Sequence, residues 1–270
     1  MRRGAFETPH GTRASPARWA GSWRDSGQNA LSLLIGAALW ELAGRVMHFS
    51  FLPPLSAVLK ALGGLIASGA IFSNLARSLG SLAIGFALAV VCGVTLGLMM
   101  GRCLYLEYAL EPILHALLAT PKLAFVPLVY ALFGLSRSTQ VVVVFISCVF
   151  TIAINAMAGM HSASATHVEM ARSFGARESQ LFWKVLLPGS LPLTLAGLRL
   201  GMGQAVKGMI SGEMFIAFFG LGALLRKYGG RFDSERVFAI LLVVVAVALA
   251  CSWGIEKVER RLTAWMGDDS

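Results

Sequence analysis

Apolar runs too long for a water-soluble core dominate this chain. Six stretches, at 30–49, 78–100, 112–133, 139–160, within 188–219 and at 237–255, are rich in Leu, Val, Ala, Ile and Phe. A bilayer hydrocarbon core about 30 Å thick needs ~20 such residues wound as helix. Apolar residues run continuously along each stretch instead of alternating with polar ones, which is a pattern of helices and not of barrel strands. Only 14% of the 270 residues are charged, against about 25% in a soluble domain. A cytosolic enzyme or a nucleic-acid module would need more charge than that to coat its surface. The formal net charge of +9 is therefore read as the Lys and Arg of cytoplasmic loops, not as a face for nucleic acid. The expected fold is an all-α integral membrane protein of about six transmembrane helices.

Residues 1–29 are a different material. Arg2, Arg3, Arg13, Arg18 and Arg24 stand there among Gly, Ser and Pro with few apolar neighbours. They read as an uncleaved, flexible cytoplasmic tail, because no small-x-small site follows the first apolar run. With that tail inside, the cytoplasmic segments hold twelve Lys and Arg, the five above with Arg102, Arg172, Arg177, Lys184, Lys257, Arg260 and Arg261. The outer segments hold seven: Lys60, Arg77, Arg137, Arg226, Lys227, Arg231 and Arg236. This bias puts both termini in the cytoplasm, and Trp19, Trp23, Trp253 and Trp265 then fall near the inner interface. Residues 30–77 hold the first span and, after Leu52-Pro53-Pro54, an interfacial helix near 57–66 on the outer surface. Residues 78–255 form the membrane core, with a cytoplasmic loop over about 161–188. Residues 256–270 form a tail in which Val258, Leu262, Trp265 and Met266, with Ile255 just before it, share a helical face opposite Lys257, Arg260 and Arg261. That suits an amphipathic helix on the inner leaflet; a frayed tail is the alternative.

The loop before the fifth span carries the most information. It reads Glu169-Met170-Ala171-Arg172-Ser173-Phe174-Gly175, then nine residues, then Val185-Leu186-Leu187-Pro188. Two short helices hinged at Gly175 are predicted, since Gly ends a helix cheaply in a left-handed conformation. Met170, Phe174, Leu181, Phe182 and Val185 give an apolar face to a segment that lies in the cytoplasm, and such a face implies a partner or the membrane surface. Pro188 and Pro192 suit the start of the next span, where missing N–H groups cost little.

That spacing resembles the cytoplasmic EAA loop of ATP-binding-cassette importer permeases, Glu-Ala-Ala, three residues, Gly, nine residues, Ile-x-Leu-Pro. Glu169, Ala171, Gly175, Leu187 and Pro188 stand at the matching intervals; Met170 replaces Ala and Val185 replaces Ile, both keeping an apolar helix face. Further segments look similar: Leu52-Pro53-Pro54-Leu55-Ser56-Ala57-Val58, Pro121-Lys122-Leu123-Ala124-Phe125-Val126-Pro127-Leu128, Ala196-Gly197-Leu198-Arg199-Leu200, and Gly212-Glu213-Met214 before Gly220-Leu221-Gly222. Together they resemble the nitrate, taurine and aliphatic-sulfonate branch, which also includes permeases for pyrimidine precursors. The resemblance implies a type I permease fold with a coupling helix in the loop, and an ATPase-docking role for Glu169, Met170, Ala171, Phe174, Gly175, Val185, Leu187 and Pro188. It implies as partners two copies of a cytoplasmic ATPase, which bind ATP-Mg, a second permease copy, and a periplasmic binding protein outside the inner membrane. No cofactor of the chain's own is implied.

The chain has no GxxxxGK[ST] phosphate loop, HExxH or GxSxG elbow, so neither ATP binding nor catalysis is expected of it. Its dispersed histidines, and Cys92, Cys103, Cys148 and Cys251 without CxxC spacing, predict no metal site. Ionisable residues inside spans are costly in hydrocarbon. Glu41 and Arg45, four apart with Glu first, suit a helical ion pair. Lys122, after Pro121 in the third span, either lines a water-filled cavity or snorkels. Arg199, Gly203, Lys207 and Ser211 recur every four residues along the fifth span, with Gln204 adjacent. They are the candidate wall of a translocation path for a small solute, with an anion hinted at by the two cations; packing of small residues against another helix is the competing reading. Glu213 either seats the binding protein or reaches water, and Asn155 suits an interhelical hydrogen bond. The alternative function is a secondary transporter or channel working without an ATPase. It predicts inverted repeats with broken helices, and no repeat relates the two halves.

Overall fold

The computed structural model describes residues 23–46, 51–162, 165–216 and 218–263. Residues 1–22 of the tail expected over 1–29, and Trp265 and Met266 of the expected inner-leaflet helix, lie outside them; the rest of that stretch, 23–29, is not a flexible tail but the first turns of a helix. Every element among the described residues is helical, as the continuous apolar runs require. Helix α1 (Trp23–Val46) leads to the short α2 (Leu55–Ala67), which starts after Pro54, and then to α3 (Ala70–Arg102). The Glu41–Arg45 pair forms at 2.6 Å. Glu41 also accepts the Ser56 N–H and hydroxyl at 2.9 Å, so one carboxylate ties α1 to the first turn of α2.

The third expected span is not one helix. Helix α4 (Leu104–Ala119) stops at Thr120, a 3₁₀ turn covers Lys122–Ala124, and α5 (Phe125–Phe133) leaves at 84° to α4. The residue before a proline is pushed out of the α region, and Thr120, at φ −70° and ψ 136°, is extended before Pro121. Helix α6 (Arg137–Ser162) follows, then α7 (Ala165–Ser173), α8 (Glu178–Leu181), a π-turn at Phe182–Leu186, and α9 (Leu187–Ile216). Pro188 and Pro192 do not interrupt this run; the Leu187 N–H reaches back five residues to the Phe182 carbonyl, a widening that lets the helix continue through Pro188. Helix α10 (Gly220–Gly229) and α11 (Ser234–Thr263) complete the order. The last helix continues unbroken to Thr263, so the described part of the expected separate amphipathic tail is the end of α11.

Four helical runs, α3, α6, Glu178–Phe215 and α11, are long and apolar enough to cross a bilayer, and α4 with α5 make a fifth if the bent pair counts as one. Helix α1 has spanning length but carries Glu41 and Arg45 and falls outside that set. It accounts for the difference from the six spans expected.

Helices α3, α6 and α9 pack as the core, around Leu82, Ala89, Val144, Cys148, Ile152, Ala205 and Met209. Water does not drive association between helices in lipid, so close backbone approach over small residues has to hold them. On α3, a Cβ added at Gly97 would lie 2.2 Å from the Ala153 carbonyl oxygen, and one at Gly101 2.5 Å from Met160 Cβ. On α9, Gly197, Gly201, Gly208 and Gly212 likewise abut Asn155, Ile152, Ser147 and Gln140 of α6. A second cluster, around Val58, Ile71, Leu221, Ala239 and Ile240, binds α2, α10 and α11 together.

Candidate docking cleft and path face

The loop folds as two short helices with the reversal at Gly175. Its φ is +74°, the Ala176 N–H donates to the Ala171 carbonyl at 3.0 Å, and the Gly175 N–H donates to the Arg172 carbonyl at 2.9 Å. These two bonds are a Schellman cap, which satisfies orphan carbonyls at the end of α7. The turn folds α7 back against the π-turn and leaves a cleft of about 540 Å³ between α7, that turn and the start of α9, lined by His167, Met170, Ala171, Phe174, Lys184, Val185, Pro188 and Gly189. Phe174 is 84% exposed and Met170 is also exposed, whereas Leu181 is buried. Phe182, read from the sequence as part of the same apolar face, instead packs its ring under the Arg102 guanidinium, 5.2 Å from carbon to centroid. Of the eight loop residues singled out, Met170, Ala171, Phe174, Val185 and Pro188 line the cleft. Glu169 is exposed on α7 and Leu187 is half-buried. His167 and Lys184 are cleft residues that the sequence reading did not select. For His167 a signal existed: 167, 170, 171 and 174 follow the i, i+3, i+4, i+7 stripe of one helix face.

The α9 row divides. At about 100° per residue, Gly203 stands about 200° around the axis from Gly201 and Lys207 about 120° from it, so both lie off the glycine face toward α6. Gly203 has no atom within 4 Å of an added Cβ, and Lys207 is exposed. Small-residue packing thus accounts for Gly197, Gly201, Gly208 and Gly212, not for Gly203. Lys207 and Ser211 line a cavity of about 150 Å³ with Lys122, Leu123, Val126, Ser147, Gln204 and Gly208. Arg199 does not join them; its guanidinium is ion-paired with Glu259 of α11. Lys122 does not snorkel: its Nζ donates to the Ser147 carbonyl at 2.8 Å.

Two other polar residues differ from expectation. Glu213 is fully buried and reaches neither water nor an outer surface. Its Oε2 accepts the Gly222 N–H at 2.9 Å, while Asn74 Oδ1 and Ser78 Oγ of α3 each accept, at 3.0 Å, the N–H of Gly220 and of Leu221. Three unpaired N–H groups at the start of α10 are thereby met by side chains of two other helices, as a buried helix terminus requires. Asn155 donates within α6, to the Thr151 carbonyl at 2.8 Å, rather than across helices. Among the described residues no His, Cys, Asp or Glu group is arranged to hold a metal ion.

Compared with known proteins, residues 89–264 match the family described as binding-protein-dependent transport system inner membrane component. The chain is 30% identical over 258 residues to the taurine transport system permease protein TauC of Escherichia coli (strain K12), covering 91% of this chain and 94% of that protein. It is also 30% identical over 237 residues to the formylaminopyrimidine transport permease protein ThiX of Halalkalibacterium halodurans, covering 87% and 94%. Among solved structures, an inward-facing conformation of the MetNI methionine ABC transporter matches with a TM-score of 0.59 over 72% of this chain and 94% of that one, at 19% identity. At that identity the likeness is one of fold.

Proposed function

This chain belongs to the inner membrane components of binding-protein-dependent transport systems, and from that premise we propose that the cleft beneath α7 is where a cytoplasmic ATPase docks. The protein is the membrane-spanning permease subunit of an ATP-binding-cassette importer. The observation that carries the docking assignment is the exposed apolar cleft held open by the Gly175 cap. An 84% exposed Phe174 on a polar loop is unfavourable in water unless another surface covers it. Two ATPase copies bind and hydrolyse ATP-Mg, two permease copies form the path, and a periplasmic binding protein delivers the solute on the outer side. Both termini lie in the cytoplasm, on the strength of the Lys and Arg asymmetry.

The solute passes along the open α9 face, past Gly203, Lys207 and Ser211. A lysine facing lipid at mid-span costs about 2.5–3.5 kcal/mol on insertion scales, whereas a wet cavity removes most of that. Lys207 favours a small anion, and the relatives' names include taurine beside formylaminopyrimidine. The docking assignment is tested by Phe174→Asp in the full permease expressed with its ATPase. ATPase copurification is expected to fall at least about tenfold, the worth of one buried aromatic anchor, with membrane insertion and thermal stability retained. Unchanged copurification overturns the assignment.

A further inference from the structure

Two lysines line one cavity inside the membrane-embedded part of this chain, with no carboxylate among its walls. The break at Thr120-Pro121 turns the backbone by 84°, and the 3₁₀ turn that follows carries Lys122 to α6, where it donates to the Ser147 carbonyl. Lys207 approaches from α9. Both line the same cavity of about 150 Å³, together with Gln204 and Ser211, and no Asp or Glu lines it. Among the described residues neither lysine takes part in an ion pair. Glu213, the acid nearest to Lys207 along α9, does not line it, and its Oε2 accepts the Gly222 N–H.

Like charges that line one cavity among membrane-spanning helices, with no carboxylate to balance them, favour a counterion there. An ammonium offers three donors, and the one bond from Lys122 to Ser147 aims the group without exhausting it. We propose that Lys122 and Lys207 together bind the headgroup of one small oxyanion in transit, with hydrogen bonds from Gln204 and Ser211. This rests on the reading of α9 as the path wall and adds the second cation, which α9 does not supply. It makes Lys122 a specificity residue: one lysine tolerates a neutral solute beside a water, whereas two lysines in one cavity are balanced only by an anion. The contact is transient because a site within a path has to release what it binds.

The test uses the purified permease–ATPase complex in nanodiscs of neutral lipid. Its thermal unfolding is followed while nitrate or methanesulfonate replaces the bulkier gluconate at constant ionic strength. In the wild type the unfolding temperature rises saturably with either oxyanion, as for any ligand of the folded state. In Lys122→Met and in Lys207→Met the half-saturating concentration rises at least about tenfold, the loss of one charge-assisted hydrogen bond. In Lys122→Arg it stays within about twofold, because charge and donors are kept. In gluconate alone both Met variants unfold at or above the wild-type temperature, since a repulsion has been removed. Overturning results are no oxyanion response in the wild type, an unchanged response in the Met variants, or Met variants less stable than wild type in gluconate. ATPase copurification from the same preparations reports on the docking assignment separately, so a failure there is distinguishable from a failure of the anion site.

Discussion

Substitution at Gly175 isolates a backbone effect from a packing effect. The residue sits at φ +74°, and an added Cβ would meet nothing within 4 Å. A side chain there therefore meets no steric obstacle within the chain, and the whole cost is that of the left-handed conformation. For an L-residue that cost is about 1–2 kcal/mol; a β-branched residue lies at the upper end, and Asn, which visits this region readily, lies well below. If α7 presents the cleft only with the Schellman cap formed, about 1–2 kcal/mol lowers the ratio of capped to uncapped loop by about 5- to 30-fold, and the affinity for a partner that binds the capped form by at most that factor. Gly175→Ala should then weaken ATPase affinity by up to about fivefold, Gly175→Val by up to about thirtyfold, and Gly175→Asn within about twofold. The assay is titration of the purified ATPase onto permease in nanodiscs. Thermal unfolding of the permease should hardly change across the series, because no described residue of α7 is buried. An Asn variant as damaging as Val would refute the reasoning, since side-chain bulk against the partner would then be the cause. So would wild-type affinity in the Val variant.

Two further outcomes separate the faces and fix the orientation. Gly97→Ala should destabilise the permease by about 1–3 kcal/mol, the cost of overpacking, because its Cβ would lie 2.2 Å from the Ala153 carbonyl oxygen; Gly203→Ala, with open space around it, should unfold no lower than wild type in the same thermal scan. In a background with Cys92, Cys103, Cys148 and Cys251 replaced by Ser, an impermeant thiol reagent applied to intact cells should label Gly229→Cys and not Ser173→Cys. Labelling in the reverse sense would overturn the cytoplasmic placement of both termini and of the docking loop.

How legible each element was depended on whether its cause is local. The turn at Gly175 was legible because a left-handed residue is a property of one position, and the Glu169 to Pro188 spacing fixed where it would fall. The break in the third span had its signal in Thr120-Pro121, since a proline restricts its own neighbour whatever surrounds it. Glu213 was misjudged for the opposite reason. Its role as a cap depends on α10 starting seven residues later and folding back against α9 and α3, an arrangement that no local pattern announces.

The sequence by itself determined that this chain is helical and membrane-embedded, where most of its helices run, and which loop carries an exposed apolar face. These follow from hydrocarbon thickness, from the need to satisfy every backbone group internally, and from single-residue conformational preferences. Only the tertiary structure decided which face of α9 packs and which stays open, that Arg199 pairs with Glu259, and that Lys122 and Lys207 line one cavity. The physical reason lies in the solvent. In water, a helix shows its buried side as an apolar stripe; in lipid, core-facing and lipid-facing positions are both apolar and that contrast vanishes. What remains is the distribution of small and polar residues, and two glycine-containing rows on one helix read alike until the neighbour that fills one of them is in place.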